Sequence, residues 1–278
     1  MRIGFIGAGK VGTALGIYFH ERGYPISGYL SHSRDHAALS ARAAGASVFN
    51  DYMDIASHSD ILFLTVPDAS IREVAGELAA SADDLTSKWI IHTSGAYSSS
   101  VFPDLCGACG FSLHPAMAIS DPYKAAGDFS STIFTIEGAP DGAALFFREA
   151  GLNVLPIASK DKAIYHLACA VSSNFVVALF SWATDLLSQA GFEAEDARRI
   201  LTPIFISNAR SVAEKGPVSA LTGPVERADK DTVGKHLSCL YDPSDRQLYR
   251  LLSEKLIRLA EEKNPSRRYD DLEESLWH

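Results

Sequence analysis

A long apolar stretch in the middle of the chain carries four polar side chains that could do chemistry. Lys162 and His166 are four residues apart, so on a helix they would lie about 40° apart around the axis and about 6 Å apart along it. Ser173 returns to the same face, and Asn174 lies at its edge. Such groups are costly to bury without partners, which favours a functional cleft over a structural network. We predict all four as catalytic residues, with Lys162 or His166 giving a proton to a reacting heteroatom.

A glycine-rich turn near the N-terminus is typical of a dinucleotide-binding site. Gly7, Gly9 and Gly12 have the spacing GxGxxG, directly after a strand pattern and at the start of a helical one. The first glycine permits a tight turn, the second lets the backbone approach a pyrophosphate, and the third lets helix and strand pack closely. The free amides of the helix N-terminus then face the phosphates. The predicted phosphate-binding residues are Gly7, Ala8, Gly9, Lys10, Val11 and Gly12.

The residues after the second predicted strand indicate which cofactor would bind. An Asp or Glu there would hold the ribose 2′-hydroxyl of NAD. Here Ser31, Ser33 and Arg34 come first, and no acid occurs until Asp35. Hydroxyls and a guanidinium suit a 2′-phosphate, so we predict NADP(H). The alternative is that Arg34 simply begins a solvated helix.

Further candidate residues lie at the carboxyl ends of other predicted strands, at the edge where a dinucleotide would cross the sheet. Val66 and Pro67 lie at the end of one strand, and Thr93 and Ser94 at the end of the next. We predict these four as cofactor contacts and Ser94 also as a substrate contact. His114 ends a further strand, where it either contacts the substrate or is only structural. An ordinary strand-to-loop turn would explain the same residues without a ligand.

A second polar cluster lies near the C-terminus of the chain. Gly223 and Pro224 fix a turn that can direct Thr222 and Arg227 toward a cleft. We predict Thr222 and Arg227 as substrate-binding residues, with Arg227 clamping the carboxylate of a small anionic substrate. The alternative is a surface ion pair between Arg227 and Asp229.

The elements that position these residues alternate between strand and helix until about residue 157 and are helical afterwards. This pattern predicts an α/β fold: a doubly wound, mostly parallel sheet at residues 1–157, then an all-α domain at 158–278. We expect the tail from Asn264 to be loose, with Leu272 and Trp277 free to dock on a partner subunit. The predicted strands are 2–6, 25–30, 60–66, 89–93, 111–114, 132–136 and 153–157. The predicted helices are 11–22, 33–44, 69–80, 141–150, 161–190, 193–215 with a kink at Pro203, 231–240 and 244–262.

Composition excludes several classes of protein. The chain has 278 residues, a formal net charge of −9 and 47% hydrophobic residues, which is typical of a globular protein and argues against a nucleic-acid or membrane-surface binder. Four cysteines are too few for a disulfide framework, and reduced thiols fit a cytoplasmic protein. Cys106 and Cys109 have CxxC spacing, but no second CxxC pair accompanies them, so we predict no metal site. Polar residues within the apolar stretch 163–187 argue against a membrane span.

The order of these motifs resembles the Rossmann-like proteins that carry a C-terminal DUF2520 domain, relatives of pyrroline-5-carboxylate reductase, prephenate dehydrogenase and the deazaflavin-dependent NADP oxidoreductases. The resemblance covers roughly residues 1–262. It implies an NADP-binding homodimer that associates through a helical domain like that of 6-phosphogluconate dehydrogenase, with the site between domains. Besides the glycine motif, it is carried by Val66-Pro67-Asp68, His92-Thr-Ser-Gly95, Leu113-His-Pro115, Lys162-Ala-Ile-Tyr-His166, Ser173-Asn174 and Leu221-Thr-Gly-Pro224 with Arg227 and Asp229.

Some members of that family resemble an alternative ketopantoate reductase. The resemblance therefore implies an NADPH-dependent reductase of a small 2-oxo acid, with ketopantoate as the first expectation. An imine reductase, a prephenate-type dehydrogenase and a non-catalytic NADP-binding protein are the alternatives. The chain departs from its relatives at two positions. His166 stands where the wider superfamily has an Asn four residues after the catalytic Lys, and Ala228 stands where a Gly is expected.

Overall fold

A computed structural model describes residues 1–82 and 84–277. Its sheet has eight strands in the order β3-β2-β1-β4-β5-β6-β7-β8. All neighbouring pairs are parallel except β6 and β7, which are antiparallel. The predicted mostly parallel, doubly wound sheet is thus confirmed. The strands are β1 (Ile3–Ile6), β2 (Ile26–Leu30), β3 (Ser47–Val48), β4 (Ile61–Leu64), β5 (Trp89–His92), β6 (Cys109–Pro115), β7 (Ile133–Glu137) and β8 (Asn153–Pro156).

Helices cover both faces of this sheet, as expected when parallel strands are joined by crossovers. On one face, Phe5 and Phe63 stack with their ring centroids 5.4 Å apart and pack with Phe19 and Phe147 from two helices. The other face buries a smaller cluster that includes Leu62. The helices of this part are α1 (Lys10–Glu21), α2 (Arg34–Ala43), α3 (Tyr52–Ser57), α4 (Ile71–Ser81), α5 (Pro122–Asp128) and α6 (Ala143–Glu149).

The rest of the described chain is helical. Val233, Ile257 and Leu272 belong to the core of this part. The helices are α7 (Lys162–Ser172), α8 (Asn174–Gln189), α9 (Ala194–Ala220), α10 (Lys230–Cys239), α11 (Pro243–Lys263) and α12 (Asp270–Trp277).

Two helix predictions and the expectation of a loose tail need correction. The helix predicted over 161–190 is interrupted at Ser173, whose φ of −125° and ψ of −74° are not helical. The kink in α9 is not at Pro203 but at Gly216, which has a φ of +77°. Gly216 has no Cβ, and Pro217 after it disfavours the helical conformation, so the chain turns there. The tail is not loose, because Leu272 and Leu276 on α12 are buried in the core of their own unit.

The chain divides into two compact units, Met1–Val177 and Ala178–His278. The first unit therefore extends past the boundary expected at 157/158. The reason is that α7 is anchored to the sheet, since Lys162 and Tyr165 hydrogen-bond to residues of the β5–β6 region.

Within residues 1–82 and 84–277, one helical run, Ser159–Gln189, is long and apolar enough to cross a membrane by length and composition alone. The break at Ser173 divides this run into α7 and α8. Large apolar side chains along it are exposed, with Ile164 at 64% and Val177 at 70%. This surface needs a covering environment that the single chain does not provide.

Candidate functional site

The glycine turn after β1 is built around Thr65, which follows β4. The Thr65 hydroxyl donates a hydrogen bond of 2.9 Å to the Gly7 carbonyl. Gly7 has a φ of +105°, and a Cβ atom there would lie 2.5 Å from the Thr65 carbonyl oxygen. A Cβ atom at Gly12 would collide with the Thr65 hydroxyl. These two positions therefore require glycine for the close contact of loop, helix and strand that the motif predicts.

Gly9 is different, because a Cβ atom there would have no neighbour closer than the Thr65 carbonyl oxygen at 3.9 Å. The backbone at Gly9 is thus open toward a cavity of about 560 Å³, a volume in the range of small-molecule sites. The predicted cofactor residues that line this cavity are Gly7, Ala8, Gly9, Ser31, Val66 and Pro67.

Other predicted cofactor residues lie outside that cavity. Lys10 borders a neighbouring cavity of about 340 Å³ that also includes Gly9. Ser33 caps α2 by accepting a hydrogen bond from the His36 amide, and Arg34 is exposed on the first turn of that helix. Val11, Gly12, Thr93 and Ser94 also do not line the larger cavity.

Several residues that sequence reasoning missed do line the larger cavity. His32 and His36 flank the predicted 2′-phosphate region, and the Tyr52 hydroxyl donates to the Glu77 carboxylate at 2.8 Å. These residues come from α2, α3, α4 and the segments before α2 and α3, so no single motif in the sequence connects them. The missed lining residues include His32, His36, Asn50, Asp51, Tyr52 and Glu77.

At the carboxyl ends of β5 and β6, Lys162 is almost fully buried, with 1% of its surface exposed. Its ammonium donates to the Ser94 carbonyl at 2.7 Å and to the Ser112 hydroxyl at 2.9 Å. Burial lowers the pKa of Lys162 to about 8, although the carboxylates of Glu137 and Asp68 act against that shift. The ammonium is thus held inside the protein rather than at an accessible surface.

Glu137, at the end of β7, is a buried carboxylate that sequence reasoning did not single out. It accepts hydrogen bonds from the Ser99 amide at 2.7 Å, the Ser99 hydroxyl at 2.9 Å, the Ser112 hydroxyl at 3.1 Å and the Ser159 hydroxyl at 2.5 Å. Burial alone would raise the pKa of Glu137, but these donors outweigh it and lower the pKa. The carboxylate therefore stays ionised and joins β6, β7 and the turn just before α7.

The Ser94 side chain organises the loop after β5. Its hydroxyl donates to the Asp68 carboxylate at 2.7 Å and accepts from the amides of Ala96 and Tyr97 at 3.2 and 3.1 Å. The Ser94 amide donates to Nδ1 of His92 at 3.2 Å. Burial lowers the pKa of His92 to about 4, and the charge of Lys162 adds to that effect, so His92 is neutral at pH 7.

Two imidazoles meet at Gly95. A Cβ atom at Gly95 would lie 2.7 Å from Cδ2 of His166 and 2.8 Å from Nε2 of His114. Nδ1 of His114 is hydrogen-bonded to the Tyr165 hydroxyl at 2.8 Å. Burial lowers the pKa of His114 to about 4, with the charge of Lys162 adding to it, and burial raises the pKa of Tyr165 to about 12. His114, Tyr165 and the exposed His166 are therefore hydrogen-bonding groups beside the loop after β5.

The other two predicted catalytic residues, Ser173 and Asn174, do not contact the group around Gly95. The Ser173 hydroxyl lies 2.7 Å from the Cys169 carbonyl and 3.1 Å from the Asn174 side-chain oxygen, at the end of α7. Such a bond to the carbonyl four residues earlier accompanies the break in the helix. Asn174 is exposed at the start of α8.

In the second unit, Thr222 and Arg227 are exposed in the turn before α10. Asp229 caps α10 by accepting from the Thr232 amide at 3.0 Å and its hydroxyl at 2.8 Å, and no ion pair joins Arg227 to Asp229. Ala228 has a φ of +56°, a conformation that favours glycine, which explains why relatives are expected to have Gly there. Cys106 lies in a turn and Cys109 begins β6.

Two family models match consecutive parts of the chain. One family model, described as a Rossmann-like domain, matches residues 1–115, in agreement with the sheet and the glycine turn. A second model, DUF2520, a domain of unknown function, matches residues 132–256. The chain thus has a Rossmann-like domain followed by a DUF2520 domain, the combination that the resemblance seen in the sequence implies. Among curated proteins, none matches the sequence.

Solved structures share the fold over most of their length. A protein from Bacteroides fragilis named provisionally as an NADP oxidoreductase is 24% identical, with a TM-score of 0.75 over 92% of this chain and 98% of its own. A protein from Thermotoga maritima is 25% identical, with a TM-score of 0.73 over 94% of this chain and 99% of its own. A pyrroline-5-carboxylate reductase from Coxiella burnetii is 17% identical, with a TM-score of 0.59 over 94% and 97% of the two chains.

Proposed function

We propose that this protein is an NADP(H)-dependent oxidoreductase. The main support for this proposal is the glycine turn, in which the Gly9 backbone faces the 560 Å³ cavity with no side chain between them. The residues fit a dinucleotide, because a pyrophosphate requires this close approach of backbone amides at a helix N-terminus. The similarity of the fold to solved reductases supports the same class.

Arg34, Ser31 and Ser33 are proposed to select NADP(H) over NAD(H). Ser31 lines the cavity, and Arg34 begins α2 three residues later in the chain. The cavity-lining imidazoles of His32 and His36 add hydrogen-bond donors to the same region.

The reaction proposed is reduction of a small 2-oxo acid, with ketopantoate as the first candidate. NADPH, when bound, would be the hydride source for the carbonyl carbon, and a protein side chain would have to give a proton to the carbonyl oxygen. Of the two donors predicted from the sequence, His166 is exposed beside Gly95 and Lys162 is buried, which supports His166. Thr222 and Arg227 are exposed and remain the proposed ligands for the substrate carboxylate.

Reduction of an imine is the second candidate. The polar groups beside Gly95 are two imidazoles and a phenol, and burial keeps His114 neutral at pH 7. Neutral hydrogen-bonding groups suit an uncharged or weakly basic C=N substrate better than a carboxylate. A reductive aminase from Aspergillus terreus shares the fold at 17% identity, with a TM-score of 0.64 over 98% of this chain and 97% of its own.

The active assembly is proposed to be a cytoplasmic homodimer that associates through the helical region. Exposed apolar side chains recur on α7 and α9, and a second copy of the chain would cover them. The most exposed of these include Ile164, Leu167, Val171, Ile204 and Phe205.

Binding and turnover test this proposal separately. NADPH and NADH binding would be measured by nicotinamide fluorescence with the unmodified protein and with Arg34→Ala. We expect tighter binding of NADPH and a selective loss of it in the variant; equal affinity for both cofactors would contradict the cofactor assignment. A panel of 2-oxo acids and cyclic imines would then be followed by loss of NADPH absorbance. Binding without oxidation of NADPH by any compound would favour a non-catalytic NADP-binding protein.

A further inference from the structure

A chain of hydrogen bonds joins two buried charges beside the end of β5. Lys162 donates to the Ser112 hydroxyl at 2.9 Å, and Ser112 donates to the Glu137 carboxylate at 3.1 Å. The single Ser112 proton goes to Glu137, so its oxygen lone pair is free to accept from Lys162. The directions of both bonds are therefore fixed by an ammonium at one end and a carboxylate at the other.

Neither charge is placed to touch a ligand. Lys162 is 1% exposed, Glu137 2% and Ser112 0%. The Lys162 ammonium donates to the Ser94 carbonyl and to the Ser112 hydroxyl. The Glu137 carboxylate accepts four hydrogen bonds, which come from Ser99, Ser112 and Ser159. Burying such a pair is costly compared with apolar residues of similar size, so a gain in stability does not explain its presence.

We infer that Lys162 is a positioning residue, with Glu137 as its counter-charge, which fixes the Ser94–Gly95 backbone against which His114 and His166 pack. This inference rests on the proposed function only for its consequence in catalysis. Under it, Lys162 gives no proton to the substrate, in contrast to the role that the sequence suggested.

Short hydrogen bonds connect Lys162 to the loop after β5, whose backbone it is inferred to position. Lys162 holds the Ser94 carbonyl at 2.7 Å, and the Ser94 hydroxyl in turn accepts from the amides of Ala96 and Tyr97. Gly95 lies between these anchors, with His114 and His166 next to the position that a Cβ atom of residue 95 would occupy. Loss of the ammonium would free the Ser94 carbonyl and loosen the turn that follows it.

Amide hydrogen exchange at Ala96 and Tyr97 tests the inference without substrate or cofactor. We would compare Lys162→Met and Glu137→Gln with Lys160→Met and Glu149→Gln, which change exposed residues of the same types. Both buried variants should exchange about tenfold faster or more at Ala96 and Tyr97, and the exposed controls should not change. Protection that is unchanged in Lys162→Met would overturn the inference.

Ser112→Ala covers the case in which the charge variants do not fold. It removes the bridging hydroxyl but keeps both charges, and it should raise exchange at the same two amides by a smaller factor. Unchanged protection in Ser112→Ala, with the charge variants unfolded, would count against the inference.

A pH profile separates positioning from proton donation once a substrate is found. If Lys162 positions Ser94, then Lys162→Met should lower kcat, keep the NADPH Kd within about threefold, and keep the shape of the kcat/KM profile against pH. Loss of a limb near pH 8, with unchanged exchange at Ala96 and Tyr97, would identify Lys162 as the donor and refute the inference. A protein that fails to bind NADPH would refute the proposed function while the exchange result still stands.

Discussion

The Tyr165 hydroxyl oxygen lies 2.8 Å from Nδ1 of His114, which joins α7 to the carboxyl end of β6. The two rings are nearly perpendicular, with an angle of 86° and centroids 5.6 Å apart. The phenol therefore fixes the plane of an imidazole whose Nε2 faces Gly95. Sequence reasoning named His114 but not Tyr165, although the two act as one hydrogen-bonded unit.

Tyr165→Phe should lower kcat by about 10- to 100-fold, because His114 loses the partner that orients it beside the reacting groups. The NADPH Kd should stay within about twofold, since the glycine turn is not changed. The free energy of unfolding should fall by about 1 kcal/mol, because one hydrogen bond is lost. Steady-state kinetics and thermal unfolding would measure these effects. Tyr241→Phe, at a side chain 88% exposed, is the matched control, and an equal loss of kcat in both variants would argue against a role for the pair.

The stability of the protein should fall as the pH is lowered from about 6.5 to 4. Burial lowers the pKa of His92 and His114 to about 4 in the folded state, whereas an unfolded histidine has its ordinary value of 6.5. The unfolded chain binds more protons in this interval, so stability rises with pH there and is lost on acidification. For the fully buried His92, the loss would reach about 3 kcal/mol.

Urea unfolding between pH 4 and 7 would measure this dependence. His92→Gln should make the dependence shallower but not abolish it, because His114 still takes up a proton on unfolding while position 92 no longer does. His20→Gln, at an exposed position, should leave the slope unchanged. A slope that is equally steep in His92→Gln would show that other groups cause the acid sensitivity.

Ala228→Gly should stabilise the protein by up to about 1 kcal/mol. Ala228 has a φ of +56°, where a Cβ atom is strained, and glycine removes that strain at some cost in unfolded-chain entropy. Ala213→Gly, at an exposed position within α9, should instead destabilise by about 1 kcal/mol. Thermal unfolding of both variants measures the difference, and a lower Tm for Ala228→Gly would contradict the strain.

Ile204→Glu should convert the proposed dimer into a monomer of 30.0 kDa, because a carboxylate would have to be buried in the interface. Ile204 lies on α9 and is 64% exposed in the single chain. Leu145→Glu, at a 57% exposed side chain on α6, should leave the mass unchanged. Sedimentation velocity would measure both, and a monomer in the unmodified protein would refute the dimer.

The glycine turn and the long strands could be predicted from the sequence because their signals are local. Gly7, Gly9 and Gly12 imply a specific turn, and runs such as 61–64 are apolar at every position, as strands buried on both faces must be. Strand β3 was missed because it has two residues, and α3 because it has six. Elements this short carry too few residues to show a period.

The buried polar network could not be predicted in the same way. Glu137 reads as an ordinary strand end, and only the pairing of β7 with β6 places it beside Ser112. Lys162 was recognised as costly to bury, but the identity of its partners depends on contacts across 50 and 68 residues of chain. The break at Ser173 depends on a side-chain bond to its own backbone, which competes with an otherwise favourable helical pattern.

The reversal between β6 and β7 limits where the length of this chain can vary. Ser112 stands opposite Glu137 because β7 runs against β6, and neighbouring side chains on a strand alternate between the two faces. An insertion or deletion of one residue within 133–137 would turn the Glu137 carboxylate to the opposite face of the sheet. The buried ammonium of Lys162 would then have lost its counter-charge. Changes in the loops flanking α5 would leave that pairing intact, so homologous chains should differ in length there and keep the strand invariant.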